Sequence, residues 1–294
     1  MKVLLAIPHV FAPKEGSLYS SQTEAKRGLK QEALLKATIG NLNRHRRRHW
    51  IHASLGKGQK VVNRELQTDT GVELTIQLFT PPQASLADGL PEDPDLQRLD
   101  PQVEDLTQVP LIASRHLLEQ AEAYDLVGYL EDDLLISDPE FFAKLLYLDR
   151  CSDGRYAFLP HRCEHIPGRG DVILSGDPDG GRPDLFWDTG EEISIPWPLG
   201  ERRFYRATNP HSGCYFLARR QALTVRDYWH QRQWMAPFQL SGPLEQAGSG
   251  MLLPIMKIMK PIPSHYRFLT VQHQDQLWQR HAFEEAPAPP SGRK

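Results

Sequence analysis

Apolar positions fall into short blocks whose periods differ along the chain. Val3-Leu4-Leu5-Ala6-Ile7 is a continuous run closed by Pro8 and His9, and it predicts a buried strand over 2–7. Leu35, Ile39 and Leu42 recur at i, i+4 and i+7 inside a helix predicted over 23–43. Strands are predicted over 50–54 and 72–79; in the second, Val72, Leu74, Ile76 and Leu78 alternate. Residues 81–110 are rich in Pro, Asp and Gln with little periodicity, and predict a long, mobile surface excursion. A helix over 109–123 turns Leu111, Leu118 and Ala121 inward. Residues 124–130, apolar after the first two, predict a central strand covered on both faces.

Asp138 and Pro139 suit the cap and first position of a helix that continues over 141–148. A strand over 156–160 and a loop-rich stretch over 168–200 follow. Strands over 203–207 and 214–217 flank a turn at 209–213. A helix over 221–235 and a helical stretch over 243–259, weakened by Gly248, Gly250 and Pro254, come last. Helices alternating with strands in the first half predict an α/β fold with a mainly parallel sheet, in which ligands bind beyond the carboxyl ends of strands.

Composition narrows the function class. The chain has 294 residues, 40% apolar and 24% charged, which excludes a wholly disordered protein. A net charge of -3 disfavours nucleic acid as a partner but permits a small diphosphate ligand. Three cysteines, Cys151, Cys163 and Cys214, form no disulfide framework, and reduced thiols in a cytoplasm are the expectation. No apolar run approaches the roughly 20 residues of a spanning helix. A lipid-linked acceptor would therefore bring the protein to the inner face of the membrane peripherally. The basic run Arg44-His45-Arg46-Arg47-Arg48-His49 reads either as cations completing a helix C-terminus or as contact with an anionic membrane or phosphorylated acceptor.

The candidate chemistry lies at Glu131-Asp132-Asp133. Three consecutive carboxylates directly after an apolar strand repel one another and resist desolvation. Mg²⁺ or Mn²⁺ would neutralise them and bridge to substrate phosphates, whereas a solvated turn is the plainer alternative.

The segment from Tyr124 through Leu130, Glu131-Asp132-Asp133 and Leu134-Leu135-Ile136 to Ser137-Asp138-Pro139 resembles the aspartate-motif region of GT-A-fold glycosyltransferases, where a strand ends in a D-x-D-type triplet and a short helix follows. The resemblance implies one GT-A-like, Rossmann-like domain over 1–283, with a nucleotide-sugar-binding half (1–160), an acceptor-side half (161–283) and a flexible tail at 284–294. It implies that Asp133 binds Mn²⁺ or Mg²⁺, which holds the diphosphate of a nucleotide-sugar donor. Glu131 and Asp132 then lie toward the donor. Arg115, in the preceding helix, and His9, at the end of the first strand, are the matching candidates near the nucleotide. His211, Ser212 and Gly213 match the turn lining the sugar and acceptor pocket.

Glu245, in Gly242-Pro243-Leu244-Glu245-Gln246, matches the carboxylate that deprotonates the acceptor or, in a retaining enzyme, stabilises the sugar cation. Gln246 stands where the family pattern has Asp. A metal-binding His near the C-terminus is implied too. His265 is the first candidate and His273 the second. The expected activity is transfer of a sugar to a carbohydrate, lipid-linked or protein acceptor, as in polysaccharide biosynthesis. A metal-dependent nucleotidyltransferase or phosphohydrolase and a non-catalytic carbohydrate-binding scaffold are the alternatives.

Overall fold

The computed structural model describes residues 1–12, 28–46, 49–55, 61–67, 71–166, 168, 170–174, 190–207, 211–234 and 242–274, with the backbone alone for 49–55, 61–67 and 174. The elements in chain order are β1 (Lys2–Pro8), α1 (Gly28–Asn43), β2 (His49–Leu55), β3 (Val61–Gln67), β4 (Glu73–Phe79), β5 (Leu96–Leu99), α2 (Val109–Glu119), β6 (Leu126–Leu130), β7 (Leu134–Leu135), α3 (Phe141–Ser152), β8 (Tyr156–Phe158), β9 (His161–Ile166), β10 (Gly170–Leu174), β11 (Glu192–Ile195), β12 (Arg202–Arg206), β13 (Cys214–Ala218), α4 (Arg219–His230), α5 (Pro243–Ala247), β14 (Lys257–Pro261) and β15 (Thr270–His273).

The largest sheet runs β13-β6-β1-β4-β5. β1 is parallel to β4 and β6, β4 is parallel to β5, and β13 is antiparallel to β6. The continuous apolar run of β1 follows from burial on both faces. Val3, Leu5 and Ile7 pack with Leu35, Ile39 and Leu42 of α1 and with Phe141 and Phe142 of α3. Leu4 and Ala6 pack on the other face with Leu117 of α2 and with Val225 and Trp229 of α4. β6, with Leu126–Leu130 buried throughout, is covered in the same way.

The protein is thus α/β, but its sheets are mixed rather than one mostly parallel sheet. Two further four-stranded sheets run β10-β9-β15-β7 and β11-β12-β14-β8, and β2 and β3 form an antiparallel pair.

Several local expectations are corrected. Within 81–110, β5 adds in parallel to the edge of the main sheet, and Ala84, Ala87 and Leu90 are buried against the core. The strands expected to flank one turn part company: β12 pairs with β14, while β13 pairs with β6. The helical stretch expected over 243–259 is the five-residue α5 followed by β14, because the backbone leaves helical geometry at Gly248 (φ -80°, ψ -109°). Residues 23–27 of the first predicted helix and the tail at 284–294 lie outside the described residues. Among the described residues, no helix is long and apolar enough to cross a membrane.

Candidate metal and donor site

β6 delivers the acidic triplet beyond its carboxyl end, and β7 then carries the chain into the second sheet. The triplet's backbone is fixed on three sides. Glu131 N donates to Gly213 O at 2.9 Å, Thr38 Oγ1 donates to Asp132 O at 2.9 Å, and Gln274 N donates to Asp133 O at 3.0 Å.

Asp133 turns into the interior and is 9% exposed. Its Oδ2 lies 3.1 Å from Nε2 of His273, and its buried Oδ1 has no hydrogen-bond partner among the described residues. Register brings the two together: β15 runs antiparallel to β7 with His273 opposite Leu134. The other ring nitrogen of His273, Nδ1, donates to Oε1 of the fully buried Glu164 at 2.8 Å. Burial alone would lower the His273 pKa, but Asp133 and Glu164 on either side outweigh it and raise it to about 9. Burial likewise works against an ionised Asp133, yet His273 and Arg162 hold its carboxyl below the ordinary value.

Glu131 behaves differently. Its Oε2 is 3.7 Å from Nη1 of Arg162 and its Oε1 is 3.6 Å from Nε2 of His211. Both separations exceed hydrogen-bonding distance. Burial therefore dominates over the attraction of Arg162, and Asp133 and Glu245 add repulsion, raising the Glu131 pKa to about 8. Burial, with Arg162 and Lys260 nearby, keeps His211 neutral by pushing its pKa well below the ordinary value. Lys260 is 1% exposed and donates from Nζ to His211 O at 3.0 Å. Burial lowers its pKa to about 7.

The third acid, Asp132, faces outward with its side chain 28% exposed. His9 Nε2 accepts from Leu86 N at 3.0 Å, which assigns the proton to Nδ1, and Nδ1 donates to Asp132 Oδ2 at 2.5 Å. Both nitrogens of His9 are engaged within the protein. The residue, at the end of β1, anchors Asp132.

The remaining candidates divide. Gly213 has φ +67°, and a Cβ there would lie 2.8 Å from both Glu131 Oε2 and Leu134 Cδ1, so glycine is needed for the turn and for the close approach of Glu131. The Ser212 hydroxyl is buried and donates to Pro160 O at 2.7 Å, a structural task. Glu245 stands in the first turn of α5, close enough for its charge to bear on Glu131 and on the buried Tyr129. Arg115 is exposed on α2 and lies 5.1 Å over the ring of Trp234.

His265 and His273 take different places. His265 sits in the 3-10 turn Pro263–Phe268, where its Nδ1 accepts from Arg203 N at 3.0 Å, so His273 is the histidine that meets Asp133. In the basic run, His45 is buried and donates from Nε2 to Ile136 O at 2.8 Å. Arg46 holds both Asp93 oxygens, at 2.7 and 2.6 Å. Arg47 and Arg48 lie outside the described residues.

Arg162, Glu164 and Lys260 were absent from the sequence-based set. The signal for the first two is their spacing: charges two residues apart in a strand point to one face. It is hidden in sequence because 161–166 reads as polar and is not recognisable as a strand.

Asp133 and His273 form a donor set of carboxylate oxygens and an imidazole nitrogen, backed by a buried carboxylate. The carboxylate suits Mn²⁺ or Mg²⁺, and among the described residues no group of three or more His, Cys, Asp or Glu side chains is placed to hold a metal ion, so this pair would supply the protein ligands. The 3.1 Å between Asp133 Oδ2 and His273 Nε2 is that of a direct ion pair, and a cation would take the place of the Nε2 proton. Asp133 Oδ1, without a partner among the described residues, supplies a further acceptor. Set against protein-family models and curated proteins, the chain matches none.

Proposed function

We propose that this protein is a glycosyltransferase that moves a sugar from a nucleoside-diphosphate sugar to a carbohydrate, lipid-linked or protein acceptor with the help of a divalent cation. The observation that carries the reading is the Asp133–His273 pair at the carboxyl end of β6, with Glu164 behind the imidazole.

Asp133 and His273 would hold Mn²⁺ or Mg²⁺, which offsets the negative charge that develops on a diphosphate leaving group. Glu164 fixes the ring orientation of His273 and leaves Nε2 facing Asp133. Glu131, largely protonated near neutral pH, adds little charge that would repel a diphosphate. Asp132, held by His9 at the protein surface, is oriented to accept hydrogen bonds from donor hydroxyls. Glu245, at the edge of this acidic field, takes the acceptor proton in an inverting reaction or steadies the sugar cation in a retaining one.

A thermal-shift series with UDP-, GDP-, CMP- and dTDP-sugars, each with and without Mn²⁺, tests the reading. One nucleotide class should stabilise the protein only when metal is present, and Asp133→Asn should abolish the shift. Stabilisation by nucleoside triphosphates instead would favour a nucleotidyltransferase. No shift with any nucleotide would favour a carbohydrate-binding scaffold.

A further inference from the structure

The acidic loop is held from behind by one stripe of α1 and the turn after it. Leu34, Thr38, Asn41 and His45 follow one another at helical spacing, and each contributes a polar atom to this contact. Asn41 Oδ1 accepts from Ile136 N at 2.8 Å and His45 Nε2 donates to Ile136 O at 2.8 Å. Leu34 O accepts from Gln274 Nε2 at 3.3 Å.

Thr38 differs from the others because its hydroxyl touches two chain segments at once. It is fully buried. Oγ1 donates to Asp132 O at 2.9 Å and accepts from Gln274 Nε2 at 2.9 Å. Asp132 is the residue before Asp133, and Gln274 is the residue after His273. A threonine inside a helix commonly turns its hydroxyl back on the carbonyl four residues earlier. Here Gln274 reaches that carbonyl, on Leu34, and the hydroxyl is directed outward to the loop.

We infer that Thr38 is a positioning residue for the metal pair, a single hydroxyl that sets the separation of Asp133 and His273 by tying together the residues next to them. The inference rests on the metal reading of that pair. The two ligands lie 140 residues apart in sequence (133 in the acidic loop, 273 in β15), and a cation tolerates errors of only tenths of an ångström in their placing. The strand pairing of β7 with β15 covers two residue pairs, Leu135 with Gln272 and Leu134 with His273. So short a ladder leaves its end to be fixed by other contacts, and Thr38 with the Gln274 N–H to Asp133 O bond supplies them.

The test is Mn²⁺ binding, followed by the electron-paramagnetic-resonance signal of free Mn²⁺, in the wild-type chain, Thr38→Val, Thr38→Ser, Gln274→Leu and Asp133→Asn. Thr38→Val keeps the shape and removes both hydrogen bonds; it should weaken binding about tenfold, while Thr38→Ser stays within about twofold of wild type. Gln274→Leu breaks one arm from the other side and should shift binding in the same direction, which covers the case in which Thr38→Val does not fold. In metal-free protein, Thr38→Val should speed amide exchange over 130–137 and 270–274 and leave α1 unchanged.

Wild-type affinity in both Thr38→Val and Gln274→Leu would overturn the positioning role while leaving the metal reading intact, and so would faster exchange spread through α1. A wild-type chain that binds no more Mn²⁺ than Asp133→Asn would overturn the metal reading and the role of Thr38 together.

Discussion

Glu164 is fully buried and accepts the Nδ1–H of His273 at 2.8 Å, so the imidazole turns its other nitrogen to Asp133. A carboxylate placed behind a metal-ligating histidine fixes the ring and raises its basicity. Glu164→Gln keeps the shape and removes that charge. It should weaken Mn²⁺ affinity by about 10- to 100-fold. Calorimetric titration checks this, and unchanged affinity would separate Glu164 from the site.

The two C-terminal histidines make a paired comparison. His273→Ala should abolish the metal-dependent shift with nucleotide sugars. His265→Ala should keep it and lose only the hydrogen bond from Arg203 N, about 1 kcal/mol of stability. Thermal shift with and without nucleotide reads both effects in one assay. The reverse pattern would move the metal site to the 263–268 turn.

Gly213→Ala asks for a side chain in a left-handed conformation, with its Cβ 2.8 Å from Glu131 Oε2 and from Leu134 Cδ1. Strain of this kind costs on the order of 1–3 kcal/mol. Because Glu131 must also move, the variant should lose both stability in urea unfolding and nucleotide-dependent stabilisation.

His161 supplies a pH dependence away from the metal pair. It is fully buried, and its Nε2 donates to Pro261 O at 2.6 Å. Burial and the neighbouring Lys260 lower its pKa to about 4. The unfolded chain, with an ordinary histidine pKa of about 6.5, binds more protons than the folded chain between those two values. Stability is therefore complete above about pH 6.5 and falls as pH drops toward 4, by roughly 3 kcal/mol for this one group. In His161→Gln the slope of unfolding free energy over that window should flatten. An unchanged slope would show that other groups carry the acid sensitivity.

Much of the architecture is legible in the sequence because local periodicity reports burial. The run Val3 to Ile7 reads as a strand covered on both faces, and Leu35, Ile39 and Leu42 as a buried helix stripe, since alternation and helical spacing are set by the backbone itself. The acidic triplet is visible for the same reason: an apolar strand that stops at three carboxylates stands out without any partner. Sequence spacing says nothing about which distant segment lies beside that strand end. Pairing of β7 with β15 put His273 beside Asp133, and pairing of β15 with β9 put Glu164 behind it. Register is decided by hydrogen bonds between chains remote in sequence, so no local pattern encodes it. The same holds for the charges. Glu131 and Asp133 are two residues apart and chemically alike, yet the surroundings raise the pKa of one to about 8 and lower that of the other. Local chain order is enough to place the carboxylates at the end of an apolar strand. Packing sets which of them stays charged, by burying Asp133 beside the imidazole of His273 and Glu131 with its Oε2 3.7 Å from Arg162 Nη1.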